Sequence, residues 1–375
     1  MIKVAHTMDL YLGQTETFIW QYLSNFEQTY PIIVAEHLKN LDQFLLPGGK
    51  IYQSYGPRFT KSWFIDNWYR RVLKKPSGYK EKIIYETGAS LIHAHYGPIG
   101  CKYLPVSLSL NIPLITNFYG YDISIKDIIN QNKLAYSELF KNGSRFLVEG
   151  SFMRSKLISL GCPEEKINIQ RIAIEIESYR FRKRLWDGHR PIRLLFVGRF
   201  VEKKGLEYAL QALSMLKTKY SFQFRIIGGG ELEKNVQRRV RDLDLSNDII
   251  WLGVQPHRKV IEEIENCDIL IQPSVTATNG DSEGGAPTIL LEAQACGAPI
   301  ISTTHADIPN ITRQDKSALL SSERDVDGLL QNICYLFENP ERWPIMGEEG
   351  RKFVKQYHDI LKESKRLEAL YKSVM

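Results

Sequence analysis

Short apolar, β-prone runs recur along the chain, and most end in a glycine or polar loop that opens into a segment of helical period. IKVAH (2–6) is the first, followed by a loop and a helix from about Thr17 to Phe26, and PIIVA (31–35) is the second. SLIHAHYG (90–97) and PLITNFYGYDIS (113–124) predict strands running into loops. RFLVEGSFMRSKLISLGCPEEKINI (145–169) predicts a strand, then a helix from about Ser151 that stops at Gly161. Further along, IRLLFVGRF (192–200), QFRIIGGG (223–230), DIIWLGV (248–254), DILIQPS (268–274) and PIIST (299–303) predict strands, with a helix holding Tyr208–Met215 after the first. Alternation of strand and helix through both halves predicts parallel sheets. ESYRFRKRLWDGHRP (177–191), polar and basic with Gly188 and Pro191, predicts a linker between two domains. Ile360–Val374 predicts a charged amphipathic helix.

The stretch EGGAPTILLEAQACGAP (283–299) departs from this rhythm. Thr288–Cys296 predicts a short helix, with Pro287 suited to its first position, Gly297 as its stop and Pro299 just beyond. Ile289, Leu290, Leu291, Ala293, Ala295 and Cys296 make it apolar on nearly every side, so it should be buried. Glu292 lies in its middle. A buried carboxylate costs several kcal/mol unless paired, so either a neighbouring Arg or backbone amides hold it, or it grips hydroxyls of a ligand lying across the helix. The glycine-rich entry leaves N–H groups free at a helix N-terminus, where phosphate is attracted. Together these features predict a site for a phosphorylated, polyhydroxylated ligand.

Composition narrows the field. The 375 residues suffice for two domains with full cores, and 43% hydrophobic with 25% charged residues are ordinary globular values. No run of 18 apolar residues predicts a membrane span. MIKVAHTMDLYLG reads as a first strand rather than a leader peptide. Cys101, Cys162, Cys267, Cys296 and Cys334 form no CxxC pair, which suits a reduced, cytoplasmic protein and no cysteine zinc site. The net charge of +6 equals that of residues 57–82 alone, where Phe59, Trp63, Phe64, Trp68 and Tyr69 interleave with eight Lys and Arg. That composition suits an anionic membrane surface; a helix packing its aromatics inward and solvating its charges is the competing reading. Nucleic acid is not expected. QFRIIGGG lacks the G-x-G-x-x-G spacing of a dinucleotide site, and its glycines Gly229 and Gly230 suit close approach of backbone to a ligand. Arg199 and Lys204, five apart beside a helix start, suit a diphosphate. In QTETFI (14–19), Thr15 can cap the following helix and Glu16 favours its first turn; a loop after the first strand of an open α/β sheet is also where ligands sit.

The stretch 283–299, with GRFVEKKG (198–205), resembles the signature of retaining glycosyltransferases of family 4, and within them the branch that builds exopolysaccharide and colanic-acid-type repeat units. The resemblance covers nearly the whole chain, including QTETFI and the Gly-Cys-Pro at 161–163. It implies the GT-B fold: two doubly wound, Rossmann-like α/β domains facing a ligand cleft. Residues 1–176 would bind the acceptor, 177–191 link, 192–357 bind the donor, and 358–375 form a helix crossing back to the first domain. It implies transfer of a sugar from a nucleotide sugar to a saccharide or lipid-linked acceptor, with the anomeric configuration retained. Arg199 and Lys204 would neutralise the leaving diphosphate, helped by amides near Ala286–Ile289; Gly198, Gly284, Gly285, Ala286, Pro287, Thr288 and Ile289 would line the donor site around the helix start. Glu292 would bind the ribose, Val254 and the Gln255-Pro256 that follows would hold the base, and Glu283 would touch the donor sugar. Eight residues separate Glu283 from Glu292, one more than the family spacing, and Gly284 takes the regular place. Thr15, Glu16, His95 and Asp122 would face the acceptor. Tyr119 stands where the family has a histidine before Gly-x-Asp. No Asp-x-Asp ends a donor-domain strand, so neither metal nor cofactor is expected. A peripheral place at the inner face of the membrane follows from the acceptor class. Two other readings stay open: a non-catalytic nucleotide-sugar-binding protein and a GT-B epimerase.

Overall fold

The computed structural model describes residues 1–13, 16–46, 48–54, 61, 63–65, 68, 72 and 78–375. Thr15 and most of the basic, aromatic stretch 57–82 lie outside these described residues. The chain divides into two compact units: Met1–Ala173 with Ile360–Met375, and Ile174–Asp359.

The first unit is built on strands β1 (Ile2–Leu10), β2 (Thr29–His37), β3 (Lys50–Gln53), β4 (Leu91–His95), β5 (Leu114–Asn117), β6 (Arg145–Val148) and β7 (Ile167–Ile169). All pair in parallel, in the order β3-β2-β1-β4-β5-β6-β7. The crossovers carry α1 (Thr17–Ser24), α2 (Gly78–Thr87), α3 (Gly97–Leu110), α4 (Tyr121–Ser124), α5 (Lys126–Asn142) and α6 (Ser151–Ser159). The central strands are apolar on both faces: Val4, Ala5, Ile32, Ile33, Val34, Leu91 and Ile92 are all buried. Such strands need cover on both sides, and crossover helices supply it. Chain order reverses between β1 and β4, where the connections leave in opposite directions and open a crevice at the carboxyl ends of the strands.

The second unit repeats the plan with β8 (Ile192–Val197), β9 (Phe222–Ile227), β10 (Ile249–Gly253), β11 (Ile269–Gln272), β12 (Ile300–Thr303) and β13 (Ala318–Ser321), in the order β10-β9-β8-β11-β12-β13, again all parallel. Its helices are α7 (Leu206–Ser214), α8 (Glu233–Asp242), α9 (His257–Asn266), α10 (Thr288–Cys296), α11 (Ile308–Ile311), α12 (Val326–Glu338) and α13 (Arg342–Tyr357). The reversal falls between β8 and β11. On one face Phe196, Phe224, Leu210, Leu336 and Trp343 form a single core; burial of each such side chain contributes about 1.5–3 kcal/mol. The last helix, α14 (Ile360–Val374), belongs to the first unit, where its Tyr371 and Leu367 pack on Val4, Leu91 and Ile115.

Residues 177–191, expected as a linker, lie within the second unit and are pinned there. The Arg182 amide donates to the Cys296 carbonyl at 3.0 Å, and the Arg184 guanidinium donates to the carbonyls of Ile264 and Arg182, both at 2.7 Å. Its arginines are held by partners in that unit: Arg184 by the helix-end carbonyl of Ile264, Arg182 by Glu265 and Arg190 by Asp268. All five cysteines are free. Among the described residues no helix is long and apolar enough to cross a membrane.

Candidate functional site

The predicted donor residues of the second unit gather at the carboxyl ends of β8 and β11. β8 runs into Gly198 and Arg199, then a single turn at Glu202–Lys204 that Gly205 closes. The stem of Lys204 passes Gly198, where an added Cβ would stand 3.4 Å from its Cδ. The Lys204 ammonium ends 2.8 Å from Glu283 Oε2, and the Ser274 hydroxyl, just past β11, donates to Oε1 at 2.7 Å. Arg199 is exposed and makes no ion pair among the described residues. The structure therefore separates the two cations: Lys204 is clamped and Arg199 is a free arm. Burial alone would raise the pKa of Glu283. The ammoniums of Lys204 and Lys203, with the bonds from Lys204 and Ser274, outweigh it and hold the carboxyl below its usual range, so it is charged at neutral pH.

The helix read from 283–299 forms over the expected residues, with Gly297 left-handed after its last turn at φ 80°. Pro287 sits one place earlier than expected, as the residue before the helix, and no side chain caps the helix start. The first amides of α10 thus have no partner within the helix. Gly285 anchors the loop ahead of them by accepting from the Asp307 amide at 2.9 Å, and the Gly284 amide is taken by Ser282 Oγ at 3.1 Å.

Glu292 is 5% exposed, as its apolar surroundings require. Its partners are neither an arginine nor backbone amides. Tyr179 donates its hydroxyl to Oε1 at 3.1 Å, and His257 Nε2 lies 2.8 Å from the same oxygen. The bond to Glu292 raises the His257 pKa against partial burial. Oε2 takes part in no bond among the described residues and remains an acceptor for a ligand hydroxyl. Val254, exposed after β10, precedes the Gln255-Pro256 that leads into α9.

Gly230, with neighbouring Gly228, lies close against backbone of this same unit. An added Cβ at Gly230 would stand 2.9 Å from the Phe200 carbonyl oxygen, and one at neighbouring Gly228 would stand 1.9 Å from that of Gly198. The Phe200 amide donates to the Gly229 carbonyl at 2.8 Å. These glycines let the β9 loop lie directly on the backbone that carries Arg199.

Several supports escaped sequence reasoning. Glu323 Oε1 lies 2.6 Å from His305 Nδ1, and the Glu283 amide donates to His305 Nε2 at 3.0 Å, which fixes the proton on Nδ1. Lys203 holds Asp281 Oδ1 at 3.0 Å and the Ser282 carbonyl at 2.9 Å. Their only signal was a buried-type position beside a loop, which common charged residues do not distinguish.

In the first unit, the Glu16 carboxylate accepts from the Gly13 amide at 2.7 Å and from the Tyr96 hydroxyl at 2.5 Å. It precedes α1 without capping it. Asp122 is fully buried and accepts from the amides of Gly97, Tyr119 and Gly120, so it shapes the loop and presents no free oxygen. Burial pushes its pKa up to about 6, opposed by those amides. His95 is buried with both ring nitrogens engaged: Nδ1 by the Tyr119 hydroxyl at 2.7 Å and Nε2 by His6 Nδ1 at 3.1 Å. Burial, then nearby negative charge, raises the Tyr119 pKa well above its ordinary value, so Tyr119 stays protonated. Glu16 and Tyr119 are thereby joined through Tyr96, whose ring lies 4.9 Å from that of Tyr119, while His95 and Asp122 stand behind them.

Known proteins bear on this arrangement. Residues 180–353 match the family model of glycosyl transferases group 1. The chain is 38% identical over 217 residues to the amylovoran biosynthesis glycosyltransferase AmsK of Erwinia amylovora, a match covering 57% of this chain and 53% of that one. It is 33% identical over 250 residues to WcaL of Salmonella typhimurium, named for colanic acid biosynthesis, covering 66% and 61%. The chain thus spans little more than half of these curated relatives' own length. Among solved structures, Anabaena Alr3699/HepE in complex with UDP superposes with a TM-score of 0.80 over the whole of both chains at 12% identity, which speaks to the fold, GT-B. Residues 180–353 are therefore a domain of the glycosyl transferases group 1 family.

Proposed function

We propose that the chain transfers a sugar from a nucleotide-sugar donor to a saccharide or lipid-linked saccharide in bacterial surface-polysaccharide synthesis, with retained configuration and no metal. The observation that carries this reading is the Lys204–Glu283 pair, 2.8 Å apart, at the point where the second sheet reverses. The relatives' names, both from exopolysaccharide synthesis, and the UDP held by HepE support it. Arg199 and Lys204 neutralise charge building on the leaving diphosphate, with the open amides at the start of α10. Glu283, kept ionised by Lys204, orients the sugar. Glu292 offers Oε2 to the ribose while Tyr179 and His257 hold Oε1. Mass spectrometry of the purified protein with a panel of nucleotide sugars tests the reading. Donor hydrolysis or transfer supports it, and binding without turnover would make the chain a non-catalytic nucleotide-sugar binder.

Two cationic side chains and a helix N-terminus do here what magnesium does elsewhere. Turnover is expected to be unchanged by EDTA; complete loss restored by manganese would overturn the metal-free reading.

Tyr119 we assign a positioning role, because a hydroxyl that stays protonated donates and does not accept a proton. In a front-face retaining transfer the leaving phosphate takes the acceptor's proton, so no strong protein base is needed. Tyr119→Phe is expected to lower kcat about ten-fold, one lost hydrogen bond, and Tyr119→His to be tolerated. An unchanged Phe variant would leave Tyr119 only its bond to His95, whereas a loss of several thousand-fold would place proton chemistry on it.

A further inference from the structure

Three imidazoles meet in the first unit. His6 on β1 stands opposite His93 on β4 in the sheet register, and His95, two residues along, shares the face of His93. All three are between 1% and 3% exposed. Their ring centroids lie 4.7–5.4 Å apart. One nitrogen from each lies within 4.8 Å of the other two. His93 Nδ1 is bonded to the Tyr371 hydroxyl and His95 Nδ1 to the Tyr119 hydroxyl, both at 2.7 Å. With protons on those Nδ1 atoms, donated to the phenol oxygens, both rings present Nε2 as a lone pair.

That arrangement leaves a deficit. His93 Nε2 and His6 Nε2 are buried and have no hydrogen-bond partner, and a buried polar atom left unpaired is unfavourable. The three rings line a cavity of about 20 Å³, room for a single water-sized species.

We propose that His6, His93 and His95 bind one zinc ion that staples β1 to β4. Neutral imidazole suits zinc. Two nitrogens bound to one zinc in a tetrahedron lie roughly 3.3 Å apart; His6 Nδ1 and His95 Nε2, 3.1 Å apart, now share one proton in a hydrogen bond, and a bound ion would take the place of that bond, the His6 proton moving to its outer nitrogen. A flip of the His6 ring offers either of its nitrogens. Tyr371 and Tyr119 occupy the place of the outer partners that orient zinc-bound histidines through their second nitrogen. The ion touches neither Arg199 nor Lys204 and takes no part in donor chemistry. Enclosed as it is, it resists a chelator while the chain stays folded.

The test is metal content. The full chain is expressed in zinc-supplemented medium, dialysed against EDTA, and analysed by inductively coupled plasma mass spectrometry, with a colorimetric chelator added before and after unfolding in guanidinium. About one zinc per chain, released only on unfolding, is expected. His93→Gln, with folding checked by circular dichroism, is expected to fall below about a tenth of that. If His93→Gln does not fold, Tyr371→Phe, which keeps all three rings, is expected to weaken zinc binding about 10–100-fold. A folded wild-type chain that carries no zinc and gives no visible absorption with added cobalt holds water in the cavity, and the proposal fails. It fails equally if folded His93→Gln keeps its zinc, or if Tyr371→Phe binds zinc as tightly as the wild type.

Discussion

Lys204→Ala is expected to lower turnover about 100-fold or more, some 2.7 kcal/mol of transition-state stabilisation. In the proposed transfer, negative charge would develop on the diphosphate as the sugar leaves, and the clamped ammonium would meet it without reorganisation. The same substitution leaves Glu283, whose side chain is 5% exposed, without its cation. Breaking such a pair costs about 3 kcal/mol, so the thermal transition should fall as well. The two effects are separable. Lys204→Ala with Glu283→Gln removes the stranded charge and should recover stability but not turnover. Arg199→Ala, at an exposed position without an ion pair among the described residues, should show a similar loss of turnover and no loss of stability. A Lys204→Ala enzyme that turns over at near the normal rate would sink the assignment.

Gly205→Ala is expected to damage the second unit itself. Gly205 closes the turn behind Lys204 at φ 63°, and an added Cβ would stand 1.8 Å from the Pro273 carbonyl oxygen. The two nearest atoms are both backbone of Pro273, which follows β11 directly and cannot swing aside as a flexible side chain could. The clash and the left-handed strain together should cost about 3 kcal/mol or more, a fall of roughly 6–12 °C in the melting temperature of a domain this size. Gly188→Ala is the control: its φ is 80°, but nothing lies within 4 Å of the added Cβ. It should cost only the strain, about 1 kcal/mol. Calorimetry of the two variants decides, since equal losses would mean that the close approach at Gly205 is relieved at no cost.

What the sequence revealed followed from local physics. The bounds of helix α10 were legible because a mostly apolar run between Pro287 and Gly297 has a marked start and stop. Strands β4, β5, β8, β9 and β11 were legible because β-branched runs bounded by glycine or proline are buried strands in a parallel sheet. Edge strand β3, only half-buried over KIYQ, lacks that signature. Helices α12 and α13 lie beyond the segments that carried motifs and drew no reading. The partners of Glu292 were illegible for another reason: Tyr179 precedes it by 113 positions and His257 by 35, and no local pattern announces such a meeting. Tyr179 moreover stood in the segment taken for a linker. Of the histidines of HAH only His95 drew a reading, and His93 and His6 drew none; the β1–β4 register is what puts the three together.

Helix α14 gives the first unit a peculiar schedule of assembly. The sheet from β1 to β7 emerges from the ribosome early, yet the cluster of Val4, Leu91 and Ile115, on which Tyr22 and Phe26 also pack, lacks the cover of Tyr371 and Leu367 until residues 360–375 follow. All of 174–359 is made in between, and that unit is contiguous and can complete its own core first. Nascent chains usually fold from the front; here the half that begins first is finished last. A newly made chain therefore carries an open apolar face for the time it takes to synthesise a whole domain, and a chaperone that engages such faces would find its binding site there.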